Sequence, residues 1–197
     1  MALWCNFFLS PSVYLYGESF MEEDLSPAIR KVLSGEIEAF SEIVEACQGA
    51  VYNLAFRLLG DPAEAEDIAQ EAFLRAFKNL SFYDSKRPFL RWLLAITYNL
   101  SMDYLRRRSR EIRAVKAFSA LADRQNRNSE PSAMEVQELL GRLDAVDRAI
   151  VVLKYWHGFS LKEIGEIVGL GEGVVKVRLH RARLRLADEL EKEGWRP

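Results

Sequence analysis

The stretch 160–189 constrains the fold most, because it joins two helical patterns through a glycine-rich connection. Ser160 and Glu163 have the spacing of a capping box, in which a hydroxyl and a carboxylate satisfy free amides at the start of a helix. Glycines at 169, 171 and 173 then allow a sharp turn, including positive φ. The pattern predicts a helix-turn-helix, whose second helix typically lies in the DNA major groove.

The second helix of this stretch is apolar on one side and basic elsewhere. It carries five Lys or Arg residues and no Asp or Glu between 174 and 186. Its apolar positions are spaced four, three and four apart and predict one buried face, formed by Val175, Leu179, Ala182 and Leu186. The other positions point outward or flank that face, where they suit base edges and phosphates: Val177, His180 and Arg181 outward, with Lys176, Arg183, Arg178 and Arg185 on the flanks.

Two alternatives for these charges remain open at this stage. The cations could only solvate an amphipathic helix, although a one-signed run after a capped helix and a glycine turn favours DNA contact. Arg178 and Arg185 could instead form ion pairs with Glu163 or Glu166. The apolar Val177 suits contact with a thymine methyl group.

The net charge of −2 limits how the chain holds DNA. Most affinity for duplex DNA comes from neutralised phosphates, so a protein that holds DNA alone usually carries a basic excess. We therefore expect weak DNA binding by the free protein, or a second molecule that supplies part of the grip. The two cysteines, Cys5 and Cys47, have no Cys or His at zinc spacing, and a reducing cytoplasm is the expected compartment.

The pattern from about Ser26 onward is helical throughout and predicts an all-α fold with two small helical domains joined by a flexible linker. Helices are predicted near 27–34, 37–59, 62–80, 88–108, 133–143 and 144–155, ahead of the helix-turn-helix. The predicted segments are an N-terminal extension (1–20), a first domain (21–113), a linker (114–133), a second domain (134–192) and a tail (193–197).

The N-terminal extension is apolar and aromatic with a single charge. It lacks the basic start of a signal peptide, and Pro11 interrupts it. It is also too short to span a bilayer, so no membrane insertion is predicted. It is either a segment outside the folded domain, with translation starting at Met21, or an arm that packs on the domain or a partner.

The helix predicted at 62–80 begins with Asp61 as its cap and Pro62 in its first turn. Its apolar stripe comprises Ile68, Ala69, Ala72, Phe73, Ala76 and Phe77, and its polar face comprises Glu64, Asp67, Gln70, Glu71, Arg75 and Lys78. That face is interpreted as a solvated surface with a Glu71–Arg75 pair, as a docking surface for a basic partner, or as a divalent-metal site. No His and no second acidic cluster completes a metal site, and no cofactor is predicted.

The next helix and the loop before it combine aromatic and basic side chains. Such a combination suits single-stranded nucleic acid, because bases stack on the rings while cations follow the backbone. Asn99 can form paired hydrogen bonds with an exposed base edge, and Trp92 fits a core stripe as well as a base contact. The expected single-strand contacts are Phe82, Tyr83, Arg87, Trp92, Asn99, Asp103, Arg106 and Arg107.

Two long segments carry a family resemblance. The runs VYNLAFRLLGDPAEAEDIAQEAFLRAFKNL and PFLRWLLAITYNLSMDYLRRR resemble region 2 of bacterial sigma factors of the extracytoplasmic-function subgroup. The run LDAVDRAIVVLKYWHGFSLKEIGEIVGLGEGVVKVRLHRARLRL resembles region 4 of the same subgroup. Together they cover most of residues 33–190, in the order and spacing of that family.

The resemblance implies a non-enzymatic, cytoplasmic initiation factor that binds RNA polymerase core and promoter DNA. Its docking residues on the clamp helices of the largest subunit would be Asp67, Gln70, Glu71 and Leu74. Region 2 would melt the −10 element with the loop 81–87 and Asn99, and region 4 would contact the flap of the second-largest subunit. The implied −35 contacts are Val174, Lys176, Val177, Arg178, His180, Arg181 and Arg183. A probable anti-sigma factor is a further implied partner.

Gly171 and Glu172 depart from the family pattern at the turn, which indicates an unusual −35 preference. Two other functions remain as hypotheses. A stand-alone helix-turn-helix regulator would leave Asn99 and the arginines at 106–108 without a role. A metal-dependent nuclease would use Glu64, Asp67 and Glu71.

Overall fold

The computed structural model describes residues 24–118 and 131–192, and every helix longer than one turn in those ranges is α-helical. The α-helices are α1 (Ser26–Leu33), α2 (Phe40–Leu59), α3 (Pro62–Lys78), α4 (Phe89–Phe118), α5 (Pro131–Gly141), α6 (Ala145–Tyr155), α7 (Leu161–Val168) and α8 (Glu172–Lys192). Short 3-10 turns occupy Ile37–Ala39 and Leu80–Phe82. The all-α prediction is confirmed for these residues.

The boundary between α2 and α3 forms as local sequence signals predict. Gly60 ends α2 in the left-handed region, with φ of 78°. Asp61 then caps α3, because its Oδ1 accepts hydrogen bonds from the amides of Ala63 (2.9 Å) and Glu64 (3.1 Å). Pro62 occupies the first turn, where its missing N–H costs nothing.

Several helix boundaries differ from the prediction; α5, for example, spans Pro131–Gly141 where 133–143 was predicted. The helix expected from Ile37 starts as a 3-10 turn, and α3 ends at Lys78 before a second such turn. α4 continues to Phe118, past the predicted end near Arg108. The extra residues of α4 include Arg, Glu, Ala and Lys, all good helix formers, and no Gly or Pro interrupts them.

The first module is a bundle of α2, α3 and α4, with α1 packed on α2. Its core is formed by one apolar stripe from each of the three long helices, including Ile43, Val51, Leu54, Leu58, Ala65, Ala72, Ala76, Leu93 and Leu94. Phe77 was predicted to be buried but is 36% exposed at the edge of the bundle. Its ring packs edge-on against Phe40, with 5.1 Å between centroids, so it covers the core from outside.

The second module contains α5 to α8, with α6, α7 and α8 in mutual contact. Asp144 caps α6 by accepting hydrogen bonds from the amides of Val146 and Asp147, both at 3.0 Å. The core of this module includes Leu140, Ile150, Leu153, Ile164, Val175, Ala182 and Leu186. The predicted extension (1–20) and tail (193–197) lie outside the described residues, as does 119–130 of the predicted linker.

The two modules pack against each other, α4 on α7 and α2 on α6. We call this contact the module interface; its polar members are Arg57, Arg91, Gln137, Arg148, Trp156, Glu163 and Glu166. Arg91 of α4 forms ion pairs with Glu166 (3.0 Å) and Glu163 (3.7 Å) of α7. A polar link therefore joins the first module directly to the helix-turn-helix.

The other half of the module interface surrounds the carboxyl end of α2. The side chain of Arg148 donates to the carbonyl of Leu58 (2.6 Å), and Gln137 donates to the carbonyl of Arg57 (3.2 Å). These are carbonyls of the last turn, which have no partner within the helix. The Arg57 guanidinium lies over the Trp156 ring, 4.9 Å from its centroid, and burial lowers its pKa.

Candidate nucleic-acid and polymerase interfaces

The helix-turn-helix starts with the capping box that the sequence predicts. The Glu163 amide donates to Ser160 Oγ (3.3 Å), and the Ser160 amide donates to Glu163 Oε2 (2.9 Å). The hydrogen bonds from Ser160 hold the pKa of Glu163 below its ordinary value, and the nearby Arg91 contributes further. The carboxylate is therefore charged where the helix dipole favours it.

The turn after α7 depends on two glycines for different reasons. Gly169 ends α7 with φ of 71°, a conformation that favours glycine. Gly165 lies under the turn, and a Cβ at that position would come within 2.5 Å of the Leu170 carbonyl oxygen. α7 and the turn can therefore approach closely only without a side chain there.

α8 buries the apolar face expected from its spacing, with Val175, Leu179, Ala182 and Leu186 all in the core. The outer positions Val174, Lys176, Val177, His180 and Arg181 are exposed, and Arg183 is half-buried. All the predicted −35 contacts except Arg178 and Arg183 are thus exposed side chains of α8.

Arg178 and Arg185 have partners that the sequence did not indicate. The alternative pairing with Glu163 or Glu166 is not the one observed, because both carboxylates face Arg91 in the module interface. Arg178 instead contacts Asp144 (2.9 Å) and Asp147 (2.8 Å), and Arg185 lies 3.9 Å from Asp147. Arg178 thereby ties α8 to the start of α6.

Asp144 and Asp147 lie side by side at the start of α6, with Asp147 buried and Asp144 exposed. Burial and the adjacent Asp144 carboxyl raise the pKa of Asp147. For Asp144, burial is outweighed by hydrogen bonds from Asp147 and by Arg178, so its pKa is lowered. The Arg178 guanidinium is therefore bound to at least one charged carboxylate.

The predicted docking face of α3 is a coherent surface. Asp67, Gln70 and Leu74 are exposed, with Leu74 at 52%, and Glu71 is half-buried beside them. Their spacing of three and four places them on one side of the helix. Glu71 forms the expected ion pair with Arg75, at 2.7 Å.

Glu64 does not belong to that face. Its carboxylate accepts hydrogen bonds from the Tyr104 hydroxyl and from Arg108 of α4, with Arg108 Nη1 at 2.9 Å. Burial and the bond to Glu64 raise the pKa of Tyr104 to about 12. Within 24–118 and 131–192, no group of three or more His, Cys, Asp or Glu residues is arranged to hold a metal ion.

The segment before α4 contains an exposed aromatic ring and the first member of an aromatic cluster. Phe82 is 82% exposed. Tyr83, the next residue, forms a cluster with Phe89 and Trp92, with ring centroids 5.2–5.5 Å apart. The Tyr83 hydroxyl donates to the Arg87 carbonyl and closes the loop. Trp92 is half-buried in this cluster, as the core interpretation expects, and its contact with a base stays a prediction.

The outer side of α4 continues this surface. Asn99, Asp103, Arg106 and Arg107 are all exposed, and Asp103 pairs with Arg106 at 3.2 Å. The opposite side is held by residues that the sequence analysis did not single out. Thr97 and Ser101 are buried, and their hydroxyls donate to the carbonyls of Leu93 (3.0 Å) and Thr97 (2.9 Å).

The side-chain contacts across the module interface were not predicted from the sequence. Arg91 was one of several cations in an aromatic-basic stretch, and nothing in its neighbours marks it as the partner of Glu166. Gln137 and Arg148 carry no motif at all.

In the described part of the chain, no helix is long and apolar enough to cross a membrane.

Comparison with known proteins matches both modules. A model of sigma-70 region 2 matches residues 43–111, and a model of sigma-70 region 4 matches residues 133–186. The ECF RNA polymerase sigma factor SigW of Bacillus subtilis (strain 168) is 35% identical over 184 residues, which cover 86% of this chain and 98% of SigW.

Solved structures show the same architecture. The structure of CnrH in complex with the cytosolic domain of CnrY matches with a TM-score of 0.63 at 29% identity, covering 84% of this chain and 96% of that chain. The sigma factor RpoE of Bartonella quintana, solved with the anti-sigma factor NepR, shares the fold with a TM-score of 0.66 at 24% identity, covering 77% and 96%. The chain belongs to the extracytoplasmic-function subgroup of RNA polymerase sigma factors, which are promoter-recognising initiation factors.

Proposed function

We propose that α8 reads the −35 element as intact duplex, while the loop 81–87 and α4 capture an opened strand of the −10 element. One observation carries the proposal: the chain presents two separate exposed surfaces that suit two different forms of DNA. The first is a cationic helix face with Lys176 and Arg181 exposed. The second is the exposed Phe82 ring with Asn99 and arginines nearby in sequence.

Polymerase docking is assigned to α3. Asp67, Gln70, Glu71 and Leu74 combine acidic, amide and apolar groups on one exposed helical side. Such a surface fits a basic partner that also offers apolar contact, here the clamp helices of the largest polymerase subunit. The second module would contact the flap of the second-largest subunit. Polymerase then supplies most of the contacts to DNA phosphates, which a chain of net charge −2 cannot make in sufficient number.

The test separates the two roles by substitution. Asp67→Ala and Gln70→Ala should weaken binding to core polymerase, with DNA binding by α8 unchanged. Lys176→Ala and Arg181→Ala should do the reverse, since they remove phosphate or base contacts only. Core binding is measured directly, and run-off transcription on a genomic library tests initiation and reads the promoter.

Glu45→Ala is the matched control for Asp67→Ala, because it removes one exposed carboxylate from α2, away from the docking face. Its core binding should equal that of the native chain.

Asn99→Ala should impair strand opening more than closed-complex formation. Failure of the native chain to bind core polymerase at low salt would contradict the whole proposal.

The stand-alone regulator that the sequence left open differs from the sigma-factor role in one measurable way. It predicts tight, specific binding of duplex DNA by the chain alone in a gel shift. The sigma-factor role predicts specific binding only with polymerase present.

CnrH and RpoE were each solved with a second protein, named as an anti-sigma factor for RpoE. We extend this to the present chain and propose an anti-sigma factor as its partner. The proposed chemistry is binding alone, without catalysis or a cofactor, and its place is the cytoplasm, where polymerase acts.

A further inference from the structure

The outer face of α8 contains an apolar pair among its cations. Val174 and Val177 are each 50% exposed, and they lie in the first two turns of the helix. Residues near the start of a recognition helix are the ones that reach base edges. Neither valine is needed for the core, because Val175 and Leu179 fill it from the opposite side of the helix.

The chemistry of valine limits what this pair can recognise. Valine has no hydrogen-bonding group on its side chain, so it cannot read the donors and acceptors of a base pair. In the major groove, the apolar group that distinguishes one base from the others is the C5 methyl of thymine. Valine is also β-branched and stiff at χ1, so its methyl groups are held in place before DNA arrives.

The spacing of the pair fits neighbouring base pairs. Residues three apart on a helix have Cβ atoms about 5–6 Å apart, and successive base pairs rise by about 3.4 Å. Lys176, on the flank beside Val177, and Arg181, one turn beyond Val177, are both exposed and available for phosphates. The cations would thus fix the register in which the two valines meet the base edges.

We propose that Val174 and Val177 read thymine methyl groups on two adjacent or next-but-one base pairs of the −35 element. The proposal rests on the −35 role of α8 and names the chemical group that this part of α8 recognises. It assigns part of the promoter preference to apolar contact, while the neighbouring cations position the helix.

The test replaces thymine by deoxyuridine, one position at a time, across the −35 element found by run-off transcription. Uracil lacks only the methyl group, so pairing and groove hydrogen bonds are kept. Holoenzyme with the native chain should bind about fourfold more weakly at one or two closely spaced positions, the value of one buried carbon group. In holoenzyme with V174A and V177A together, those same replacements should have no further effect.

Leu184→Ala is the matched control, because Leu184 is 59% exposed on the same outer side but lies further along the helix. Its holoenzyme should keep the full response to uracil. The proposal is overturned if no single replacement weakens the native holoenzyme, or if the double valine variant keeps the whole response. Failure to bind any unmodified promoter would contradict the −35 role itself, so the two failures are distinguishable.

Discussion

The two surfaces proposed to contact DNA are supported in opposite ways. The outer side chains of α8 stand on one continuous helix, fixed by a capping box, a close glycine turn and the Arg178 ion pairs. On the other surface, which we propose contacts the −10 element, Phe82 is exposed just before Tyr83, a member of an aromatic cluster. On the proposed roles, duplex DNA would be read by side chains held in a fixed register, whereas an opened strand would bind an aromatic ring that is exposed in the free chain.

The largest effect is expected from a comparison of two phenylalanines, Phe82, which is exposed before α4, and Phe89, which is buried in the aromatic cluster. Phe89 is buried in the aromatic cluster, so Phe89→Ala should lower the free energy of unfolding by about 3–5 kcal/mol. Phe82→Ala should leave it unchanged but weaken single-strand binding by about 1–3 kcal/mol. Chemical denaturation and binding of a single-stranded −10 oligonucleotide measure the two. A similar loss of stability in both variants would show that Phe82 supports the fold instead.

Acid should destabilise the chain through His157 in the second module. Burial lowers the pKa of His157 from 6.5 to about 4 in the folded chain. Between these values the unfolded chain binds a proton that the folded chain does not, so stability falls as pH drops from about 6.5 to 4. The loss is at most about 3 kcal/mol.

The measurement is the unfolding free energy of the native chain minus that of His157→Gln at each pH, which cancels the other titrating groups. This difference should shrink as pH falls through the window. A difference that stays constant between pH 7 and 4 would mean that the imidazole is not buried from water in solution.

The glycine turn gives the next effect in size. Gly165→Ala places a Cβ against the Leu170 carbonyl oxygen, and overpacking of this kind costs about 1–3 kcal/mol. Gly173→Ala is the control, because nothing lies within 4 Å of its added Cβ and alanine favours a helix. Thermal unfolding should separate the two. If both variants unfold at the same temperature, the close approach of Gly165 to the turn does not control the stability of the helix-turn-helix.

The smallest effect is expected at the module interface. Arg91→Ala removes ion pairs to two partly exposed glutamates, which are worth about 1 kcal/mol or less. Little stability should be lost, but the modules should separate more often. Distances between labels on α2 and α8 would detect this, with Arg107→Ala as a control that removes an exposed cation elsewhere on α4. An unchanged distance distribution would show that the Arg91 ion pairs are not needed to hold the contact.

Local features of this fold were predictable, and long-range pairings were not. Asp61 and the Ser160–Glu163 box act within one turn of helix, so their geometry follows from spacing alone. Arg91 and Glu166 are far apart in the chain, and only the packing of α4 on α7 brings them together. Arg178 and Asp144 are likewise 34 residues apart in the chain, and only the packing of α8 on α6 brings them together.

The packing of α4 on α7 has a consequence for how a promoter is engaged. Elements centred near −10 and −35 are about 25 base pairs apart, or about 85 Å along straight duplex. Even α4, at 30 residues, is only about 45 Å long. The proposed roles therefore place the two elements further apart than the longest helix in the described part of the chain. We expect the packing of α4 on α7 to open when both elements are occupied together.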